Sequence, residues 1–250
     1  MIPKIIHYCW FGHNPLPPLA LKCKESWARF FPDYEIKEWN EDNFDVNIIP
    51  YTAEAYKAKK YAFVSDYARF WILYKYGGLY FDTDVEIIKP MDDIIMRGPF
   101  MGCELSLNKE TGLLTPFVAP GLGLGACPGL DLYKNFLDIY SMKVFMSSNC
   151  FDENIVTIAT EYIVSKRPSI DLTMINEVEG VYIYPDDFFC PIVALTGKMT
   201  ITENTRSIHH YMASWMPPKT LYMRICIFLR SLCGDGMYEK IRNIKRRIFK

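Results

Sequence analysis

The sequence predicts an α/β domain built around a mostly parallel central sheet. Three observations carry that expectation. Short apolar, β-rich runs alternate with stretches of helical spacing, and long Gly- and Pro-bearing loops separate them. Half of the 250 residues are hydrophobic and 23% are charged, which suits a large buried core and excludes disorder, collagen-like repeats and simple coiled coil. No internal repeat or low-complexity segment interrupts the pattern.

Ile2 to Phe11 is apolar and β-rich and ends at Gly12 and the prolines 15, 17 and 18, so it predicts a buried first strand followed by a loop. Leu19 to Phe31 has helical spacing and is stopped by Pro32. Tyr34 to Trp39 predicts a second strand, and Asn40 to Pro50 an acidic, turn-rich connection. Thr52 to Tyr76 predicts one long helix closed by Gly77 and Gly78. Leu79 to Phe81 and Val85 to Ile88 then predict short strands either side of Asp82-Thr83-Asp84. Residues 98–128 are too rich in Gly and Pro to assign. Beyond them, Asp131 to Tyr140 and Ile155 to Val164 predict helices, and Val181 to Tyr184 and Thr205 to His210 predict strands. Residues 1–218 form the expected domain and 219–250 an appendage.

The formal net charge of −1 argues against coating nucleic acid by bulk electrostatics, so no nucleic-acid partner is expected. That total hides an asymmetry: residues 219–250 carry nine Lys and Arg against Asp235 and Glu239, a net of +7, leaving −8 on the body. The eight cysteines include no CxxC pair, and nothing at the N-terminus resembles a signal peptide. Reduced thiols and a cytoplasmic location are therefore expected. No apolar run approaches a membrane span.

The strongest chemical signal is Tyr80-Phe81-Asp82-Thr83-Asp84. On a strand, Asp82 and Asp84 would share one side, and two carboxylates that close repel unless a cation or strong donors lie between them. Hard oxygen donors suit Mg²⁺ or Mn²⁺; a solvated turn after a strand is the plain alternative. Asp66 and Arg69 form the second signal. They stand three apart on a helix among apolar neighbours, and a charged pair in such bulk is costly unless it serves a purpose. Gly121-Leu122-Gly123-Leu124-Gly125-Ala126 has the wrong spacing for a dinucleotide loop.

The stretch Tyr61 to Pro90, with Ser65-Asp66-Tyr67-Ala68-Arg69 and Tyr80-Phe81-Asp82-Thr83-Asp84, resembles the signature of glycosyltransferase family 32, the DXD-motif sugar-binding proteins. It is also similar to the catalytic domains of large glucosylating toxins. Ile2 to Gly12 resembles that family's opening strand and Ile208 to Trp215 its closing motif. The resemblance implies a GT-A, Rossmann-like fold that binds a nucleotide-sugar at the carboxyl ends of its strands. It further implies that Trp10 stacks on the base, that Asp66 and Arg69 hold donor hydroxyls, and that Tyr80 lies near the ribose or sugar. Asp82 and Asp84 would hold Mn²⁺ or Mg²⁺, one of His209 and His210 would complete the ligands, with His209 preferred, and Ser214 and Trp215 would close over the diphosphate. Glu104 and Asp187 are candidate acid/base residues.

The implied activity is retaining transfer of a hexose from a nucleotide-sugar, UDP-linked by preference, to a glycan or lipid-linked saccharide of a surface polysaccharide. The tail alternates Leu221, Met223, Ile225, Ile227 and Phe228 with Arg224 and Arg230. It resumes after Gly234 and Gly236 as a basic helix, which reads as an amphipathic membrane-surface segment or as a basic helix packed on its own domain; the lipid-linked acceptors that the resemblance implies favour peripheral binding to the inner face of the cytoplasmic membrane. Two other readings stay open, a haloacid-dehalogenase-like phosphotransferase and a catalytically silent carbohydrate-binding protein.

Overall fold

A computed structural model describes residues 1–108, 111, 113–145 and 154–212. The opening strand β1 (Ile5–Cys9) pairs in parallel on one side with β2 (Glu35–Trp39). Between them lies helix α1 (Pro18–Phe30), begun by a proline at its first turn, where a missing N–H costs nothing. Two helices follow, α2 (Pro50–Lys57) and α3 (Tyr61–Tyr76). The single helix expected over Thr52–Tyr76 is thus broken. Lys59 adopts a φ of 58°, and its left-handed backbone turns the chain between the two.

Gly77 and Gly78, both at positive φ, end α3 and feed β3 (Gly78–Tyr80), which lies parallel to β1. Only glycine fits at 78, because a Cβ there would press on the Ile5 carbonyl of the neighbouring strand. β4 (Val85–Ile87) and α4 (Asp92–Arg97) come next. The segment left unassigned holds three strands, β5 (Phe100–Leu107), β6 (Leu114–Val118) and β7 (Leu124–Ala126). Then follow α5 (Asp131–Ser141), α6 (Ile155–Lys166), β8 (Asn176–Val178), β9 (Val181–Tyr184), α7 (Asp186–Phe189) and β10 (Ser207–His209).

The main sheet runs β2-β1-β3-β7-β5-β9-β8, with β6 added to β5. β7 is antiparallel to both β3 and β5, and β8 and β6 are antiparallel to their neighbours. Strands β2, β1, β3, β5 and β9 therefore all point one way, and the sheet is mixed but mostly parallel in direction. Period-two alternation splits the buried residues between two cores. Tyr80, Met101 and Ile183 face α3, α5 and α6, whereas Ile6, Leu79 and Phe100 face α1 and α7. On the first side Phe70 of α3 meets Phe136 of α5 at 4.6 Å between ring centroids.

β4 and β10 form a separate two-stranded antiparallel ladder. The other edge of β4 is satisfied by α1: Trp27 Nε1 donates to the Val85 carbonyl at 2.7 Å, and Ile87 N donates to Ser26 Oγ at 2.9 Å. Cys9, Cys23, Cys103, Cys127 and Cys190 are free thiols. Among the described residues no helix is long and apolar enough to cross a membrane. The tail at 219–250, Cys150, Cys226 and Cys233 lie outside the described residues.

Candidate active site

At the carboxyl ends of β1 and β3 the chain leaves the sheet, and a cleft of about 520 Å³ opens there, a volume suited to a small organic ligand. Trp10, Asp66, Arg69, Asp82, Asp84 and His209 all line it. Three distant parts of the sequence thus meet as expected.

The two aspartates reach the cleft by a different route from the one expected. β3 ends at Tyr80, so Asp82 and Asp84 sit in a turn closed by Val85 N donating to the Asp82 carbonyl at 3.0 Å. Each carboxylate has its own anchors. Asp82 Oδ1 accepts from the Tyr80 hydroxyl at 3.0 Å and lies 3.3 Å from Arg69 Nη2, while its backbone N–H donates to the Gly121 carbonyl. A Cβ on Gly121 would collide with Asp82 Oδ2 and stand 3.2 Å from Arg69 Nη1, so the bare backbone there leaves the carboxylate its place. Asp84 Oδ2 accepts from Met212 N at 2.7 Å, and its Oδ1 stands 3.3 Å from His209 Nε2.

Arg69 is the hub of the inner wall. Its Nη2 pairs with Asp66 Oδ1 at 2.9 Å as well as with Asp82, its Nε donates to the Ser65 carbonyl, and its guanidinium lies 5.0 Å from the Tyr80 ring centre. Burial drives the Asp66 carboxyl up to about 7, the Arg69 charge opposing and the Asp82 charge assisting. Burial also raises Asp82, although Arg69 holds it back. Asp84 goes the other way: burial pushes it up, but the His209 charge and hydrogen bonds from His209 and Met212 N bring it below its ordinary value. Burial opposes charge on His209, yet Asp84 raises its pKa well above 6.5.

The histidines separate cleanly. His209 enters the cleft, whereas His210 Nε2 bonds Glu86 Oε2 at 2.8 Å, beside Lys22. Tyr80 is buried beneath the cleft and acts on it through Asp82. Trp10 is half-buried at the rim, its Nε1 donating to the Asn14 carbonyl at 2.6 Å. Glu104 also lines the cleft, but Asp187 does not. It accepts from Thr202 Oγ1 and Asn204 Nδ2 and orders that loop. Ser214 and Trp215 lie outside the described residues. Sequence reasoning missed Tyr211 and Gly121. Tyr211 follows the histidine pair, and its backbone φ of 49° could not be read from residue type.

The donor set suits a divalent ion. Two carboxylates and an imidazole converge on the cleft, and among the described residues no donor engages Asp82 Oδ2.

Residues 17–101 match the family described as glycosyltransferase sugar-binding region containing DXD motif. Inositol phosphoceramide mannosyltransferase 3 of Schizosaccharomyces pombe is 34% identical over 98 residues, which is 38% of this chain and 27% of that protein. An uncharacterized glycosyltransferase of Acanthamoeba polyphaga mimivirus is 26% identical over 241 residues, covering 90% of this chain and 87% of the viral one. The solved structure of a glycosyltransferase involved in the glycosylation of the major capsid of PBCV-1 superposes with a TM-score of 0.49 at 13% identity, covering 84% and 95% of the two chains. The matched stretch spans between about a quarter and a third of the fungal mannosyltransferases.

Proposed function

Residues 17–101 carry the DXD-containing sugar-binding region of glycosyltransferases, and from that premise we propose that the chain moves a hexose from a nucleotide-sugar to an acceptor hydroxyl with retention of configuration. The observation that carries this reading is the convergence of Asp66, Arg69, Asp82, Asp84 and His209 on one cleft with an indole at its rim. UDP is the preferred nucleotide. The mannosyltransferase relatives add mannose to the donor sugars worth testing. The acceptor is a glycan or lipid-linked saccharide of a surface polysaccharide, reached at the inner face of the membrane through the basic tail.

Asp82, Asp84 and His209 would hold Mn²⁺ or Mg²⁺, which when bound supplies positive charge against the departing diphosphate. The rest falls to the chain itself. Trp10 offers a flat apolar face to the base. The Asp66 carboxyl and the Arg69 guanidinium orient donor hydroxyls, and because each already pairs with the other, neither must reorganise when the sugar arrives. The cleft wall excludes water from the anomeric carbon.

The test is a melting series with UDP-hexoses and GDP-mannose, with and without Mn²⁺, followed by turnover of the stabilising donor. A donor at a hundredfold excess over its Kd adds about 2.7 kcal/mol of stability. Asp84→Asn should fold, lose Mn²⁺-dependent stabilisation and lose turnover. If no nucleotide-sugar raises the melting temperature in either condition, the transferase reading fails. Co-sedimentation with anionic vesicles, lost on neutralising Lys245, Arg246 and Arg247, tests the membrane part separately.

A further inference from the structure

One wall of the cleft sets two donors that the proposed transfer leaves unused, Glu104 and Cys190, beside His209. Glu104 of β5, Cys190 just past α7 and His209 of β10 bring one ligand atom each to within 4.8 Å of one another. The Tyr211 hydroxyl sits among them, 3.0 Å from Cys190 Sγ and 3.1 Å from Glu104 Oε2. Its backbone there has a positive φ of 49°, a conformation uncommon for a bulky residue. The His209 ring is mostly buried against this wall, beside Cys190.

These donors differ in kind from the aspartates. A thiol, an imidazole and a carboxylate match the preferences of Zn²⁺, whereas paired carboxylates match Mg²⁺ and Mn²⁺. Zinc bonds of about 2.0–2.3 Å set tetrahedral ligand atoms about 3.3–3.8 Å apart, so the cluster needs a contraction of roughly an ångström. Glu104 and His209 both line the cleft, which gives an ion its way in to the buried Cys190.

We propose that Glu104, Cys190 and His209 form a zinc site in the cleft wall, which an ion enters by displacing the Tyr211 hydroxyl, with its fourth position open to the cleft. On binding, the Cys190 thiol gives up its proton to solvent and the thiolate ligates the ion. His209 also faces Asp84 at 3.3 Å. Zinc in the wall therefore competes with the aspartate pair for the same imidazole, and its occupancy weakens Mn²⁺ binding at Asp82 and Asp84. The zinc site itself needs no transferase activity to exist.

The probe is Co²⁺ titrated into the full, reduced, metal-free chain, with absorbance read in the near-ultraviolet and visible. The wild-type chain should show a thiolate-to-cobalt charge-transfer band together with tetrahedral visible bands, both bleached by added Zn²⁺. Cys190→Ser and Cys190→Ala should lose the charge-transfer band. Glu104→Gln should keep it at weaker affinity, and Asp82→Asn should keep it at unchanged affinity. Melting without metal checks that each variant folds. A wild-type chain without the band, or a band that persists in folded Cys190→Ser, overturns the site. Both outcomes are independent of whether any nucleotide-sugar binds.

Discussion

Arg69 lies between two carboxylates in a nearly dry wall. Arg69 pairs with Asp66 and Asp82 and offsets part of the burial cost of each, yet burial still raises both carboxyls, Asp66 to about 7. In the middle of β1, in register with Tyr80 of β3, His7 solves a related problem by staying neutral. Its Nε2 donates to the Gly77 carbonyl at 3.0 Å and its Nδ1 accepts from Trp39 Nε1 at 3.0 Å, so a second ring proton would point at another donor. Burial lowers its pKa from 6.5 to about 4. Between those values the unfolded chain binds the proton and the folded one does not, so His7 makes stability rise with pH there and its contribution is lost as pH falls through about 4. Asp66 has the opposite sign: raised from 3.8 to about 7, it makes stability fall as pH rises across that interval. The two slopes oppose one another. His7→Gln keeps both hydrogen-bond roles without titrating, and urea unfolding between about pH 4 and 6.5 should show its stability declining with pH more steeply than wild type.

At the scale of elements, the turn after β3 and the loop before β7 are locked together by Asp82 N donating to the Gly121 carbonyl. Gly121→Ala should therefore fold yet push the Asp82 carboxylate from its place. The expected result is a melting temperature close to wild type with Mn²⁺ affinity and turnover sharply reduced; unchanged Mn²⁺ binding by calorimetry would contradict this account. The elements also show how far residue pattern carries. α1, β2, α5 and β9 were legible within a residue or two because apolar spacing and Pro or Gly stops mark them. The break at Lys59 was not, since lysine carries no sign of a left-handed backbone. β5 to β7 were hidden because their glycines serve packing: a Cβ at Gly125 would strike the Phe100 ring, and one at Gly102 the Phe189 ring. In the site, Asp66, Arg69, Asp82 and Asp84 were legible from motif. Choosing between His209 and His210 needed only the rule that neighbours on a strand face opposite ways, together with knowledge of which face is the cleft.

Across the whole molecule, the sheet separates a larger core under α3, α5 and α6 from a smaller one under α1 and α7. Trp27 ties the smaller core to the β4–β10 ladder, fully buried and bonded to the Val85 carbonyl. Trp27→Ala should cost about 3–5 kcal/mol in denaturant unfolding. It should also weaken Mn²⁺ binding, because Asp84 and His209 stand side by side at one end of that ladder, where β4 begins and β10 ends. A variant that loses stability but binds Mn²⁺ at wild-type strength would uncouple them. The ladder carries one more consequence, in time. β10 comes from the end of the described chain, and only its pairing with β4 brings His209 to Asp84. During synthesis the ribosome releases both aspartates, Arg69 and most of the sheet well before that strand emerges. A polypeptide ended before β10 would lack the contact between His209 and Asp84.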